Sequence, residues 1–196
     1  MLLKIFKAHA IVVEQHLKFL VLSQFYRIQF YQRRSKMVSL VQGEQVVAFT
    51  DLALEEQRML RRAKRKLGWA HNPYSKSGHY VAATVRTVSP DGKIRYYTCT
   101  NIEVKPRNGV CAEDGAVAMT FAAYDQENAQ KICVIDRYGD ESPTAEVPYP
   151  CPGSRGWIAE LALKSGLLED FPIILSTTNF DRIVVTTIGV LLPHAF

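Results

Sequence analysis

A chain of 196 residues, 47% apolar and 22% charged, has the length of one ordinary domain with room for an appendage, and this composition excludes a disordered tail. Its net charge of +5 is unevenly placed: between Met1 and Lys36 seven bases (Lys4, Lys7, Lys18, Arg27, Arg33, Arg34, Lys36) face Glu14 alone, a surplus of six that leaves the remainder at −1. A broadly basic, nucleic-acid-binding body is excluded with it, so no nucleic acid is expected as a partner.

Residues 1–36 form a basic N-terminal extension, and 37–196 the body. From Leu2 to Tyr31 apolar and aromatic side chains mix with bases, the chemistry of an organelle-directed presequence. An upstream start before Met37, or a helix docked on the body, fits the same composition. Charges at Lys4, Lys7, Glu14 and Lys18 break the apolar runs, and Phe19 to Tyr26 is far short of the ~20 residues a membrane span needs, so no membrane partner is expected. Four cysteines without a clean secretory signal point to a reducing compartment with no disulfide framework. The expected location is cytoplasmic, or mitochondrial if the extension is a presequence.

Apolar Leu52, Met59, Leu60, Ala63 and Leu67 at helical spacing predict a helix from Thr50 to Leu67, with Thr50 or Asp51 as N-cap, Glu55 and Glu56 in its first turn and Gly68 stopping it. Its other face (Arg58, Arg61, Arg62, Lys64, Arg65, Lys66) reads as solvated, with phosphate contact as the alternative. Two β-rich runs, Tyr80 to Val88 and Ile94 to Thr100, join through Ser89-Pro90-Asp91-Gly92 as a hairpin. Cys111 to Tyr124 reads as a small-residue helix, Ile132 to Ile135 as a buried strand, and Arg137 to Tyr149 as a loop. Pro152 to Lys164 reads as a second helix closed by Gly166. Ile173 to Ser176 and Ile183 to Thr187 are short strands around the turn Thr178 to Asp181. Helices interleaved with strands predict a three-layer α/β/α domain with a mixed sheet of about five strands. No glycine-rich phosphate loop is present, which speaks against a nucleotide-triphosphate hydrolase.

Two cysteines open helices. Cys111 precedes Ala112-Glu113, and Cys151 lies between Pro150 and Pro152. Facing a positive helix end, each thiol is expected to ionise more readily than usual, ready for metal or chemistry. Cys99 and Cys133, inside strand-like runs, read as core residues.

The ordered set Pro73-Tyr74-Ser75, Asn101-Ile102-Glu103, Cys111-Ala112-Glu113, Pro150-Cys151 with Arg155, and Leu191-Leu192-Pro193-His194-Ala195-Phe196 resembles the nucleoside cytidine deaminase family, from about Ala53 onward. The resemblance implies a Zn2+ enzyme that hydrolyses cytidine or deoxycytidine to the uracil nucleoside and ammonia in pyrimidine salvage. Glu113 would be the catalytic proton shuttle. Cys111 and Cys151 would be metal ligands, and Asn101 and Glu103 would bind the ribose hydroxyls. The implied partners are a pyrimidine nucleoside and further copies of the chain, as a tetramer or dimer.

The chain departs from the family where Pro-Cys-x-x-Cys-Arg becomes Pro150-Cys151-Pro152-Gly153-Ser154-Arg155. Ser154 is a hard, neutral substitute for a thiolate, with His71 and His79 as alternative donors. Two thiolates on zinc sum to zero charge, so Arg155, charge-balancing in the family pattern, loses its anionic partner. Val104 to Val110 is about a residue shorter than the family link, and the family's wording is missing between Ser75 and Val81. A catalytically silent, metal-poor homologue that binds nucleoside or a partner subunit, and a deaminase of a modified aminopyrimidine nucleoside, of the blasticidin type, are therefore the alternatives to the active cytidine enzyme.

Overall fold

The computed structural model describes residues 44–70, 80–105, 108–137 and 147–193. The extension at residues 1–36, His71, His79, Pro73-Tyr74-Ser75, most of the loop before Tyr149 and the final His194-Ala195-Phe196 lie outside them.

Tyr80–Val88 (β2) buries nearly all its length on both faces, which explains why its β-branched residues run without polar alternation. It pairs antiparallel with Ile94–Thr100 (β3) through the expected hairpin. The turn closes with Gly92 N–H on the Ser89 carbonyl (2.8 Å), and Gly92 adopts φ +79°, a conformation only glycine takes freely. On its other side β2 pairs antiparallel with Ala129–Arg137 (β6), which runs parallel to Pro172–Thr177 (β7), and Ile183–Thr187 (β8) follows antiparallel. A three-residue strand, Gln45–Val47 (β1), completes the sheet on the edge of β8, giving the order β1-β8-β7-β6-β2-β3. The sheet therefore has six strands where the pattern had suggested about five. Short and largely exposed, β1 carries no alternation to read.

The predicted link after Glu103 is partly a two-stranded ribbon of Ile102–Lys105 (β4) and Asn108–Val110 (β5). Glu103 faces Gly109, where a Cβ would sit 2.8 Å from the Ile102 carbonyl, so the ribbon closes only with glycine at that position.

The sheet is covered on both faces, as expected for an α/β/α domain. Leu54–Leu67 (α1) buries Met59, Leu60, Ala63 and Leu67 against Ala82, Cys133, Ile135, Ile174 and Ile183. Ala112–Ala122 (α2) and Pro152–Lys164 (α3) bury Ala116, Val117, Ile158 and Leu161 against Val85, Ile132, Val134 and Leu175 on the opposite face. The one-turn helix Ile188–Leu191 (α4) packs at the end of that layer. Cys133 is fully buried, as read, whereas Cys99 is only partly buried and packs against the edge of the core.

The start of α1 is corrected. Thr50 and Asp51 belong to a separate 3-10 turn, Leu52 inserts into the core, and the helix begins after Ala53, whose N–H donates to the Glu56 carboxylate (3.0 Å). Glu55 and Glu56 meet two buried bases of the sheet, Arg86 (3.2 Å) and Lys131 (2.7 Å), so the first turn is anchored by ion pairs rather than by a polar N-cap. On the outer face Arg61 and Lys64 lie over the rings of Phe49 and Phe180, which stack with centroids 4.6 Å apart.

Candidate active site

Both expected helix starts exist, and they converge. Cys111 is the N-cap of α2 and Cys151 the N-cap of α3, both in extended backbone. The sequence presets the second: a residue before proline avoids helical ψ, and Pro152 at the first helical position gives up an N–H the helix does not use. The two Sγ atoms stand 3.7 Å apart. Ser154, fully buried one turn into α3, places its Oγ 3.4 Å from Cys151 Sγ and donates its backbone N–H to the same sulfur (3.5 Å).

This spacing fits a metal ion. Two sulfurs each ~2.3 Å from one tetrahedral zinc stand about 3.8 Å apart, close to the observed separation. Among the described residues no three His, Cys, Asp or Glu side chains gather as a ligand set. The third donor beside the thiols is the Ser154 hydroxyl, which gives two thiolates and a neutral oxygen, a set that zinc would bring to zero net charge.

The electrostatics of the two thiols diverge, against the expectation that both helix ends would favour the thiolate. Burial pushes Cys111 up to about 11, helped by the neighbouring Glu113 and opposed by the Ser154 hydroxyl. For Cys151 burial also acts upward, yet the Ser154 hydroxyl and N–H, with Cys111 and Gly153, outweigh it and bring the thiol below its ordinary value.

Glu113, in the first turn of α2, is 5% exposed. Burial lifts its carboxyl to about 7, with Asp114 and Asp136 adding to the rise. Asp136, a buried acid near the end of β6, is a neighbour that sequence reading missed. Its only signal is an acid closing the apolar run Ile132 to Ile135.

Asn101 is buried at the end of β3. Its Oδ1 accepts from the Val81 N–H (2.9 Å) and its own N–H donates to the Val81 carbonyl (3.0 Å), so the side chain extends the β2–β3 ladder. Ile102 pairs with Val110, and one residue beyond that pair on each strand come Asn101 and Cys111. The ribbon thus ties Asn101 to the α2 start, with half-buried Glu103 on β4 opposite Gly109.

Arg155 does not turn to the thiols. Its Nε donates to the Pro150 carbonyl (2.9 Å) and its Nη1 to the Leu191 carbonyl (2.8 Å). Tyr149, in the same approach to α3, donates its hydroxyl to Glu44 just before β1 (2.5 Å), a contact between distant parts of the chain with no sequence signal.

No protein-family model and no curated protein matches the chain. Among solved structures it is similar to the cytidine deaminase from Burkholderia pseudomallei, with a TM-score of 0.55 and 25% identity over 71% of this chain and 98% of that one. It is also similar to a point mutant of the cytidine deaminase from Mycobacterium tuberculosis, at a TM-score of 0.50 and 21% identity over 74% and 99% of the two chains. The fold is the cytidine deaminase fold.

Proposed function

We propose that this chain is a hydrolytic deaminase of pyrimidine nucleosides, converting cytidine or deoxycytidine to the uracil nucleoside and ammonia. The observation that carries the reading is the convergence of Cys111 and Cys151 at paired helix starts, 3.7 Å apart, with buried Glu113 two residues beyond the first. The similarity to two cytidine deaminase structures supports the same reaction class.

Cys111 and Cys151 would hold zinc, with the Ser154 hydroxyl beside them. When bound there, zinc supplies the positive charge that makes water nucleophilic near neutral pH. Glu113 takes the two protons of the attacking water in turn, passing the first to the ring nitrogen and the second to the departing amine, work that a carboxylate screened from solvent performs without competition from bulk water. Asn101 and Glu103 orient the ribose by its hydroxyls, an amide and a carboxylate being suited to adjacent hydroxyl groups. Among the described residues no helix is long and apolar enough to cross a membrane. Exposed Met119, Trp157, Leu163 and Val190 on the α2, α3 and α4 side support assembly with further copies of the chain.

The test pairs zinc content of the purified protein with ammonia release from cytidine. The reading expects zinc together with turnover, and a protein that carries zinc but releases no ammonia overturns it. A second reading, a silent, metal-poor homologue that binds nucleoside or a partner subunit without turnover, is favoured by the missing third thiolate at Ser154, and a purified protein with little zinc and no ammonia release is its signature. Release from a modified aminopyrimidine nucleoside but not from cytidine would move the substrate to the blasticidin type.

A further inference from the structure

We propose that Arg155 is a positioning residue: it clamps the peptide leading into Cys151 to the last turn of α4, and thereby sets the separation of the two thiols. The inference rests on Cys111 and Cys151 being the paired donors of the site. A cation in the first turn of α3 faces an unfavourable helix dipole, so its place there needs a compensating contact. That contact is a pair of backbone carbonyls. The Pro150 carbonyl precedes the helix and the Leu191 carbonyl ends α4, so among the described residues the partner of both is Arg155. A guanidinium fork spans both at 2.9 and 2.8 Å, which an ammonium, a compact point charge, does not. The backbone N–H of Arg155 meanwhile donates to the Cys151 carbonyl (2.9 Å). One residue therefore holds the peptide on each side of Cys151, while prolines flank it in sequence. Without the fork, the Pro150–Cys151 peptide is free to swing, and with it the sulfur now 3.7 Å from Cys111.

Phenylarsine oxide tests this on the full-length, metal-free protein, because this trivalent arsenical binds tightly only where two thiols reach one arsenic. Cys151→Ser sets the background from the remaining cysteines. Arg155→Ala is expected to weaken the arsenical by the 10- to 100-fold typical of groups that orient ligands. Arg155→Lys should lose nearly as much despite keeping its charge, and millimolar guanidinium should restore binding to the Ala variant but not to Cys151→Ser. Far-UV circular dichroism and a cooperative melt check the fold, and if the Ala variant fails to fold, the Lys variant carries the test. Binding by the Arg155 variants within twofold of wild type, while Cys151→Ser loses it, overturns the clamp and leaves the paired-thiol site standing. Equal binding by wild type and Cys151→Ser removes the paired site and the clamp together.

Discussion

The starts of α2 and α3 look alike in sequence, each a cysteine N-cap, yet one pushes its thiol pKa up and the other brings it down. In α2 the first turn carries two acids, Glu113 and Asp114, and Cys111 makes no capping bond. In α3 the first turn carries none, and Cys151 Sγ accepts a hydrogen bond from the Ser154 backbone. The helix dipole is common to both and therefore does not decide the matter. Burial and local hydrogen bonds do. Burial wins at the α2 start, and hydrogen bonds to sulfur win at the α3 start.

The largest way to break this contrast is Glu113→Gln. The amide keeps the shape but moves no proton, so ammonia release from cytidine should fall by roughly 100- to 10,000-fold. The same change should stabilise the metal-free protein at high pH. Glu113 has a folded value of about 7 against an ordinary 4.5, so the folded chain holds a proton that the unfolded chain has released between those values. Its contribution to stability is complete below pH ~4.5, declines as pH rises and is gone above ~7, a swing of about 3 kcal/mol at most. Thermal melts should show the Gln variant ahead of wild type at pH 8 and level with it near pH 4, and parallel curves at all pH would refute the assignment.

Ser154→Cys sharpens the contrast from the other side. A third thiolate should raise zinc affinity by more than the ~10- to 100-fold attributed to groups outside the ligand set, measured by competition with a chromophoric chelator. No gain in affinity would mean that Ser154 does not face the ion.

Much of this was readable beforehand. Tyr80–Val88 and Ile173 to Ser176 declare themselves by β-branched residues, and Pro150-Cys151-Pro152 dictates an N-cap through backbone sterics alone. β1 was missed because three exposed residues hold no pattern, and its pairing is fixed by β8, over a hundred positions away. The start of α1 was misplaced because Glu56 and the buried bases Arg86 and Lys131 replace the polar cap that the sequence offered at Thr50 and Asp51. The contrast between the thiols was illegible because burial depends on the whole sheet, and Arg155 reads as an anion's partner until the carbonyls of Pro150 and Leu191 are in view.

A smaller perturbation enters through α2. A Cβ at Gly115 would stand 2.4 Å from Cys99 Sγ, so Gly115→Ala should lift α2 from β3 at a cost of about 1–3 kcal/mol in chemical denaturation. Alkylation of Cys111 should quicken as it loses cover, and by more than that of Cys151, whose sulfur keeps its bonds to Ser154, and equal changes at both would show that the two starts move as one. Smallest of all is removal of residues 1–36. The body should keep its cooperative melt and the ratio of the two alkylation rates, and loss of the melt would make the extension a structural part of the fold.

The parallel pairing of β6 with β7 also governs how the two thiols are brought together. A hairpin cannot join parallel strands, so the chain must first lay α3 across the sheet between them. Cys111 and Cys151, 40 positions apart, consequently gain nothing from local encounter. Their meeting rests on tertiary packing that closes the intervening loop and offsets its entropy, so the paired thiols exist only where the sheet and both helices are assembled.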